Sequence, residues 1–207
     1  MKTPAPPGPV DPNKITWQDI PQFPRVSYEI DVFWGTLERT LDHFGTMNVD
    51  LDPDYQREHV WTMDQRRAWL EYVLRGGEIG RTLVFACSNW NKFDCESPTW
   101  FFQLADGKQR LETVRMFMRG EIALWGGAPL LNGKRAPAEG LTKSQMGGQF
   151  RDILYSLKFR VVDAPTRLDA LNLYLAMNTG GTAHSAEEIA RVTALRDEEL
   201  RLRAVAR

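Results

Sequence analysis

The 207-residue sequence predicts an α+β fold, a small mixed sheet with a helical C-terminal part. Three observations carry that expectation. Residues 81–86 (Arg-Thr-Leu-Val-Phe-Ala) and 99–105 (Thr-Trp-Phe-Phe-Gln-Leu-Ala) are short apolar runs bounded by polar or turn-forming segments, as buried strands are. Capping signatures at Thr62-x-x-Gln65, Thr166-x-x-Asp169 and Ser185-x-x-Glu188 each open a stretch with helical spacing. No repeat or internal linker interrupts residues 26–207, so that span reads as one domain behind an arm at residues 1–25.

The arm carries seven of the twelve prolines, which excludes a long helix there. Ser27 is placed to cap a helix reaching about Phe44, because Ile30, Phe33, Trp34, Leu37, Leu41 and Phe44 follow the helical period. A polar turn containing Pro53 then delivers residues 55–61. The Thr62 helix packs Trp69, Leu70, Val73 and Leu74 and stops at Gly76-Gly77. Between the two strands, residues 88–98 form a polar loop. Asp106-Gly107 is a strong turn signal, and helical spacing resumes through Leu111, Val114, Phe117 and Met118 until Gly120. Residues 121–137 predict a short hairpin around Gly126-Gly127. Residues 142–157 predict a helix with Phe150, Ile153, Leu154 and Leu157 on one face, and residues 159–162 a further strand. A helix from Thr166 to about Met177 leads into a Gly-rich loop at 178–182, and Ser185 opens a charged terminal helix.

Composition narrows the function classes. Hydrophobic residues make up 43% and charged residues 26%, ordinary for a soluble globular domain. The formal charge of -1 supplies no broad attraction to nucleic acid, although a local basic patch stays open. Cys87 and Cys95 show no C-x-x-C spacing and no companion His cluster, so neither a zinc site nor a disulfide framework is indicated. No apolar run approaches the roughly 18 residues of a membrane span. Residues 1–12 lack the apolar region of a signal peptide, and the cytoplasm is the expected compartment.

Three constellations carry chemistry. In the first, a strand turns through Asp106-Gly107 straight into a helix, so first-turn amides and the helix dipole favour an anion. Gly107 permits close backbone approach, and Lys108 and Arg110 add cationic donors. Asp106 has three candidate roles: holding a metal ion, orienting Arg110, or capping the helix. A plain capped turn is the alternative reading. In the second, Gln56 and Arg57 sit between a Pro-bearing turn and a capped helix, flanked by Tyr55 and Trp61 as candidates for stacking on a base. The alternative makes Arg57 a surface residue and Trp61 a core plug. In the third, Asn178 opens the Gly-rich loop, either an anion nest or a simple connection. Metalloprotease, serine-hydrolase and nuclease patterns are not found, and no histidine has a credible nucleophile beside it.

Taken in order, Asp54-Tyr55-Gln56-Arg57-x-x-Val60-Trp61, Asp106-Gly107-Lys108-Gln109-Arg110-Leu111, and Asn178-Thr179-Gly180-Gly181-Thr182 with Glu188 resemble the DUF262 domain of the ParB/sulfiredoxin-like superfamily. The resemblance covers roughly residues 27–195. It implies a ParB-like fold and a nucleotide site. The family's D-G-Q-Q-R motif falls on Asp106, Gly107, Lys108, Gln109 and Arg110, with Lys108 standing where the family has its first Gln. The implied catalytic residues are Asp106, Gln109 and Arg110, with Asp106 as the candidate Mg²⁺ ligand. The implied phosphate ligands are Gln56, Arg57, Gly107, Lys108, Arg110 and Asn178.

On that basis the expected ligand is an NTP (ATP, GTP or CTP) with Mg²⁺, bound and hydrolysed in a DNA-associated process such as restriction or phage defence. No nuclease half of the restriction-enzyme kind follows residue 195, so expected partners are DNA, a separate nuclease or other subunit, and a second copy of the chain. A nucleotide-dependent phosphotransferase is a second reading, with Glu112, Asp54 or Glu58 as base. A non-catalytic DNA- or protein-binding regulator is a third.

Overall fold

The apolar run Leu-Val-Phe-Ala-Cys at 83–87 offers no polar face, and a strand of that kind needs cover on both sides. A computed structural model, which describes residues 27–45, 49–57, 60–88, 102–147, 150–178 and 185–205, supplies that cover. Strands β1 (Ser27–Phe33), β2 (Val49–Asp50), β3 (Thr82–Cys87), β4 (Phe102–Asp106) and β5 (Ser156–Asp163) form one sheet in the order β1-β5-β3-β4-β2. The β1/β5 and β3/β4 pairs are antiparallel, whereas β3/β5 and β2/β4 are parallel. The expected α+β class with a mixed sheet is therefore observed. The arm, Cys95 and the loop beyond Ser88 lie outside the described residues.

Strand alternation sorts the core into two layers. Leu83, Phe85, Cys87, Phe102, Leu104, Leu157, Phe159 and Val161 pack on one face beneath α1 (Leu37–Gly45), α2 (Met63–Leu74) and α3 (Lys108–Met118). Ala86 and Ala105 point to the other face, joined there by Tyr55, α4 (Arg167–Asn178) and α5 (Ala186–Val205). Two alanines on that face leave room for α4 to lie close against β4.

The capping signatures behave as expected. Thr62 Oγ1 accepts the Gln65 amide at 3.2 Å while Gln65 Oε1 accepts the Thr62 amide at 2.9 Å. Thr166 and Asp169 make the same reciprocal pair at α4, at 3.1 and 3.3 Å. At α5, Ser185 Oγ accepts the Glu188 amide at 3.2 Å.

Three expectations need correction. Residues 27–33 form β1, not the start of a helix, and α1 begins only at Leu37 after a 3₁₀ turn at Trp34–Thr36. The segment alternates, with Glu29 and Asp31 exposed and Val32 buried. Its register sets Glu29 opposite Arg160 and Asp31 opposite Lys158, giving cross-strand ion pairs at 3.8 and 3.6 Å.

Residues 142–157 contain no α-helix among those described. They hold 3₁₀ turns at Ser144–Met146 and Asp152–Leu154, with Gly147 at φ +77° between them, and then enter β5. Phe150 packs on Phe117 and Tyr155, whereas Ile153 and Leu154 are exposed. The expected hairpin around Gly126-Gly127 is an irregular loop carrying isolated bridges Leu124–Leu141 and Pro129–Arg135, and it reverses at Leu131–Gly133.

Thr62→Ala is expected to cost about 1 kcal/mol of stability, seen as a lower urea midpoint at unchanged slope. An unchanged midpoint would mean that packing alone holds the start of α2.

Candidate functional site

Asp106 ends β4, where a register shift between Val84 and Phe85 leaves it opposite Val84. Bulges of this kind re-aim side chains at a strand end. Gly107 follows as the N-cap of α3 with φ +106°. A Cβ there would stand 2.3 Å from Leu83 Cδ2 and 3.2 Å from Leu83 Cα, so backbone conformation and contact with β3 both require glycine. The first bond inside α3 runs from Leu111 N to Gly107 O at 2.9 Å, and the N-cap Gly107 has no side chain to cap this end. First-turn amides consequently point toward the loop above, with the positive end of the helix dipole behind them.

That loop, between β2 and α2, is held over the junction by side chains from both partners. Gln56 Nε2 donates to Leu104 O at 2.7 Å. Lys108 Nζ donates to Arg57 O at 3.2 Å and pairs with Asp52, with only a tenth of its side chain exposed. The amides of Val60 and Trp61 both donate to Gln109 Oε1 at 3.2 Å. From the far side, Arg191 of α5 donates to the carbonyls of Asp54, Tyr55 and Gln56 at 2.8, 2.9 and 3.2 Å and pairs with Glu188 at 2.8 Å. Arg167 of α4 pairs with Asp54 at 2.6 Å.

Two phenols lie beneath the loop, their rings 5.4 Å apart edge to face. Burial, reinforced by Asp50 and Asp54, raises the Tyr55 hydroxyl far above its ordinary range, with Arg167 opposing. Tyr55 OH donates to Gln103 Oε1 at 3.2 Å. Burial and then Glu188 push Tyr174 up to about 12; Arg57 and Arg191 pull against that rise and Asp106 adds to it. Arg57 and Asp106 thus both stand within electrostatic reach of Tyr174. The half-buried Arg57 guanidinium pairs with no carboxylate among the described residues. Asp106 accepts Arg110 Nη2 at 2.5 Å through Oδ2.

No family model, curated protein or solved structure matches the chain. The site therefore stands on its own geometry.

The structure brings residues 55–57, 106–110 and the end of α4 together, and it redistributes their roles. Tyr55 is wholly buried and presents no face to a base, so the stacking expectation fails for it. Trp61 is partly exposed, its ring 6.0 Å from that of Trp69, and is the remaining stacking candidate. The Gln56 and Gln109 amides and the Lys108 ammonium brace the loop. Asn178 Nδ2 donates to Tyr174 O at 2.7 Å, closing the last turn of α4; residues 179–182 lie outside the described residues. Arg57 and Arg110 remain as the cations able to face a ligand.

Of the alternative bases, Glu112 pairs with Arg119 at 2.9 Å and Asp54 with Arg167, while Glu58 lies outside the described residues. Among the described residues no group of three or more His, Cys, Asp or Glu could hold a metal ion. A separate depression of 590 Å³ at the C-terminal half of α2, lined by Ala68, Glu71, Tyr72, Arg75, Gly76 and Gly77, shares no residue with this site. No helix of the described residues is long and apolar enough to cross a membrane. Sequence reading missed Arg191; its one signal was the i,i+3 spacing from Glu188.

Gln109→Ala removes the acceptor of two amides and is expected to destabilise by about 2–3 kcal/mol, whereas Gln109→Glu keeps an acceptor and most of the stability. Equal losses in denaturant titrations of the two variants would contradict the bracing role. A second expectation concerns alkaline pH. Both phenols have folded-state values above the ordinary 10.0, so their contribution is complete below pH 10. It falls as the unfolded chain ionises, by about 1.4 kcal/mol per pH unit for each group, and the Tyr174 share is fully lost once pH passes about 12. Between about pH 9 and about pH 11, Tyr174→Phe should lose less stability than wild type. The same loss in both would refute it.

Proposed function

We propose that this chain is a nucleotide-binding domain of the DUF262, ParB-like kind that binds an NTP at the β4–α3 junction. The observation that carries the reading is the half-buried Arg57, without a carboxylate partner among the described residues, on the loop that Lys108 holds over the first turn of α3. A half-buried cation without a carboxylate partner is favoured once a polyanion arrives, and the first-turn amides of α3 favour the same anion. Arg110, oriented by Asp106, supplies a second planar fork for phosphate. Gly107, pressed on Leu83, sets the first turn of α3 at the end of β4.

Hydrolysis fits the same residues with fewer participants than the motif implies. The Gln109 oxygen already serves two backbone amides, so orienting an attacking water falls to Asp106, and Arg57 and Arg110 offset charge on the phosphoryl oxygens. A DNA-associated role, with a separate nuclease or other subunit as partner, belongs to this reading through the family resemblance. No observation in the structure favours phosphotransfer.

At about a hundredfold excess over the dissociation constant, the preferred NTP should stabilise the fold by about 2.7 kcal/mol, or roughly 5–10 °C in Tm. Arg57→Ala should abolish that shift while the free protein keeps its stability within about 0.5 kcal/mol. A full shift in the variant, or none in wild type with any common NTP, would overturn the reading.

A further inference from the structure

Arg66, near the start of α2, is only 6% exposed, and no other ionisable cation or carboxylate among the described residues is buried to that degree. Its guanidinium makes one hydrogen bond, from Nη1 to Thr113 Oγ1 at 2.9 Å, and pairs with no carboxylate among the described residues. The partly buried arginines 81, 110, 115 and 167 each pair with an acid, so the most buried one is an exception. A guanidinium set against one neutral oxygen loses more hydration than that bond returns. Thr113 Oγ1 passes the contact on by donating to Gln109 O at 2.6 Å. The charge is thereby tied to the first turn of α3, where amides and dipole favour an anion.

We infer that Arg66 is a positioning residue for a nucleoside triphosphate, its buried charge raising the affinity of the α3 first turn for the polyanion without touching it. This role rests on the proposed nucleotide reading, which supplies the anion. A field that runs through packed side chains is screened less than one that runs through water, so a charge behind the helix still acts at its first turn. The bound polyanion in turn supplies the counter-charge that the protein does not place beside Arg66. The same column fixes the backbone of Gln109, whose side-chain oxygen holds the Val60 and Trp61 amides. Arg66 thus serves the frame through Thr113 and the ligand through its charge, and the two contributions are separable by experiment.

Calorimetric titration of the full chain with the mono-, di- and triphosphates of adenosine, guanosine and cytidine provides the test, in wild type, Arg66→Met and Arg66→Lys. Arg66→Met should lose about tenfold in affinity for the preferred triphosphate and only about twofold for its monophosphate, because the missing field acts on each ligand charge. Arg66→Lys keeps the charge and should bind the whole series within about threefold of wild type. The free Arg66→Met protein should keep its Tm or gain, since an apolar side chain replaces a buried charge that no acid compensates. If Arg66→Met does not fold, Arg66→Gln, neutral and still a donor for Thr113, takes its place in the same series. An equal loss for mono-, di- and triphosphate marks a merely structural Arg66 and overturns the role. Unchanged affinity in the neutral variant overturns it too, and either result leaves the nucleotide site standing. No binding of any nucleotide to wild type would overturn the role and the nucleotide reading together.

Discussion

The oxygen of the Gln109 side chain, accepting the amides of Val60 and Trp61, is the contact on which the rest of the site depends. It joins the loop before α2 to the first turn of α3, and a second link closes the circuit behind it. Thr113 Oγ1 donates to Gln109 O at 2.6 Å and accepts Arg66 Nη1 at 2.9 Å, in a part of the α2–α3 contact where all three residues are buried. A buried network of this sort holds its members rigidly because each unpaired group would be costly in a low-dielectric interior. The loop is therefore fixed at one end by the Thr62 cap and the Arg66 column, and at the other by Gln56 on β4 and Lys108 under Arg57.

This bracing lets one short segment serve two faces of the sheet. Tyr55 plugs the layer formed with α4 and α5, while the backbone after it crosses the end of β4 toward α2. Arg191 gathers three successive carbonyls of that segment from above, which fixes their N–H and C=O directions more firmly than packing alone. Gly107, pressed on Leu83, brings α3 down onto β3 so that the Gln109 side chain reaches the loop at all. The residues that looked most chemical in the sequence are thus divided. Gln56, Lys108 and Gln109 build the frame, and the Arg57 guanidinium and the Asp106–Arg110 pair take no part in that bracing.

Local signals made much of this fold legible. Caps at Thr62, Thr166 and Ser185, the Gly76-Gly77 stop and the Asp106-Gly107 turn are set by neighbours a few residues away, and all occur where the sequence places them. Failures came where distant partners decide. Residues 27–33 satisfy a helical period, but pairing with β5 and the two cross-strand ion pairs favour a strand, and β5 itself began inside a segment that mimicked a helix. The segments that the structure brings together, residues 55–57 and 106–110, were visible as motifs; the division of labour among them was not. Whether an amide faces a ligand or a backbone N–H is settled by tertiary contacts such as Gln109 with Val60, which no spacing encodes. Arg191 gave no motif because its partners are distant carbonyls.

On the proposed nucleotide reading, the β4–α3 junction is a pre-built anion cradle whose frame exists before the ligand and whose cations await it. Hydrogen exchange of the full chain with and without saturating NTP and Mg²⁺ tests it most directly. The account predicts ligand-dependent protection concentrated in the first turn of α3 (Lys108, Gln109, Arg110) and at Arg57, with little change at Val60 and Trp61, whose amides are already bonded in the free protein. Protection centred elsewhere, or a large gain at Val60 and Trp61, would show that the frame is not in place beforehand and would contradict it.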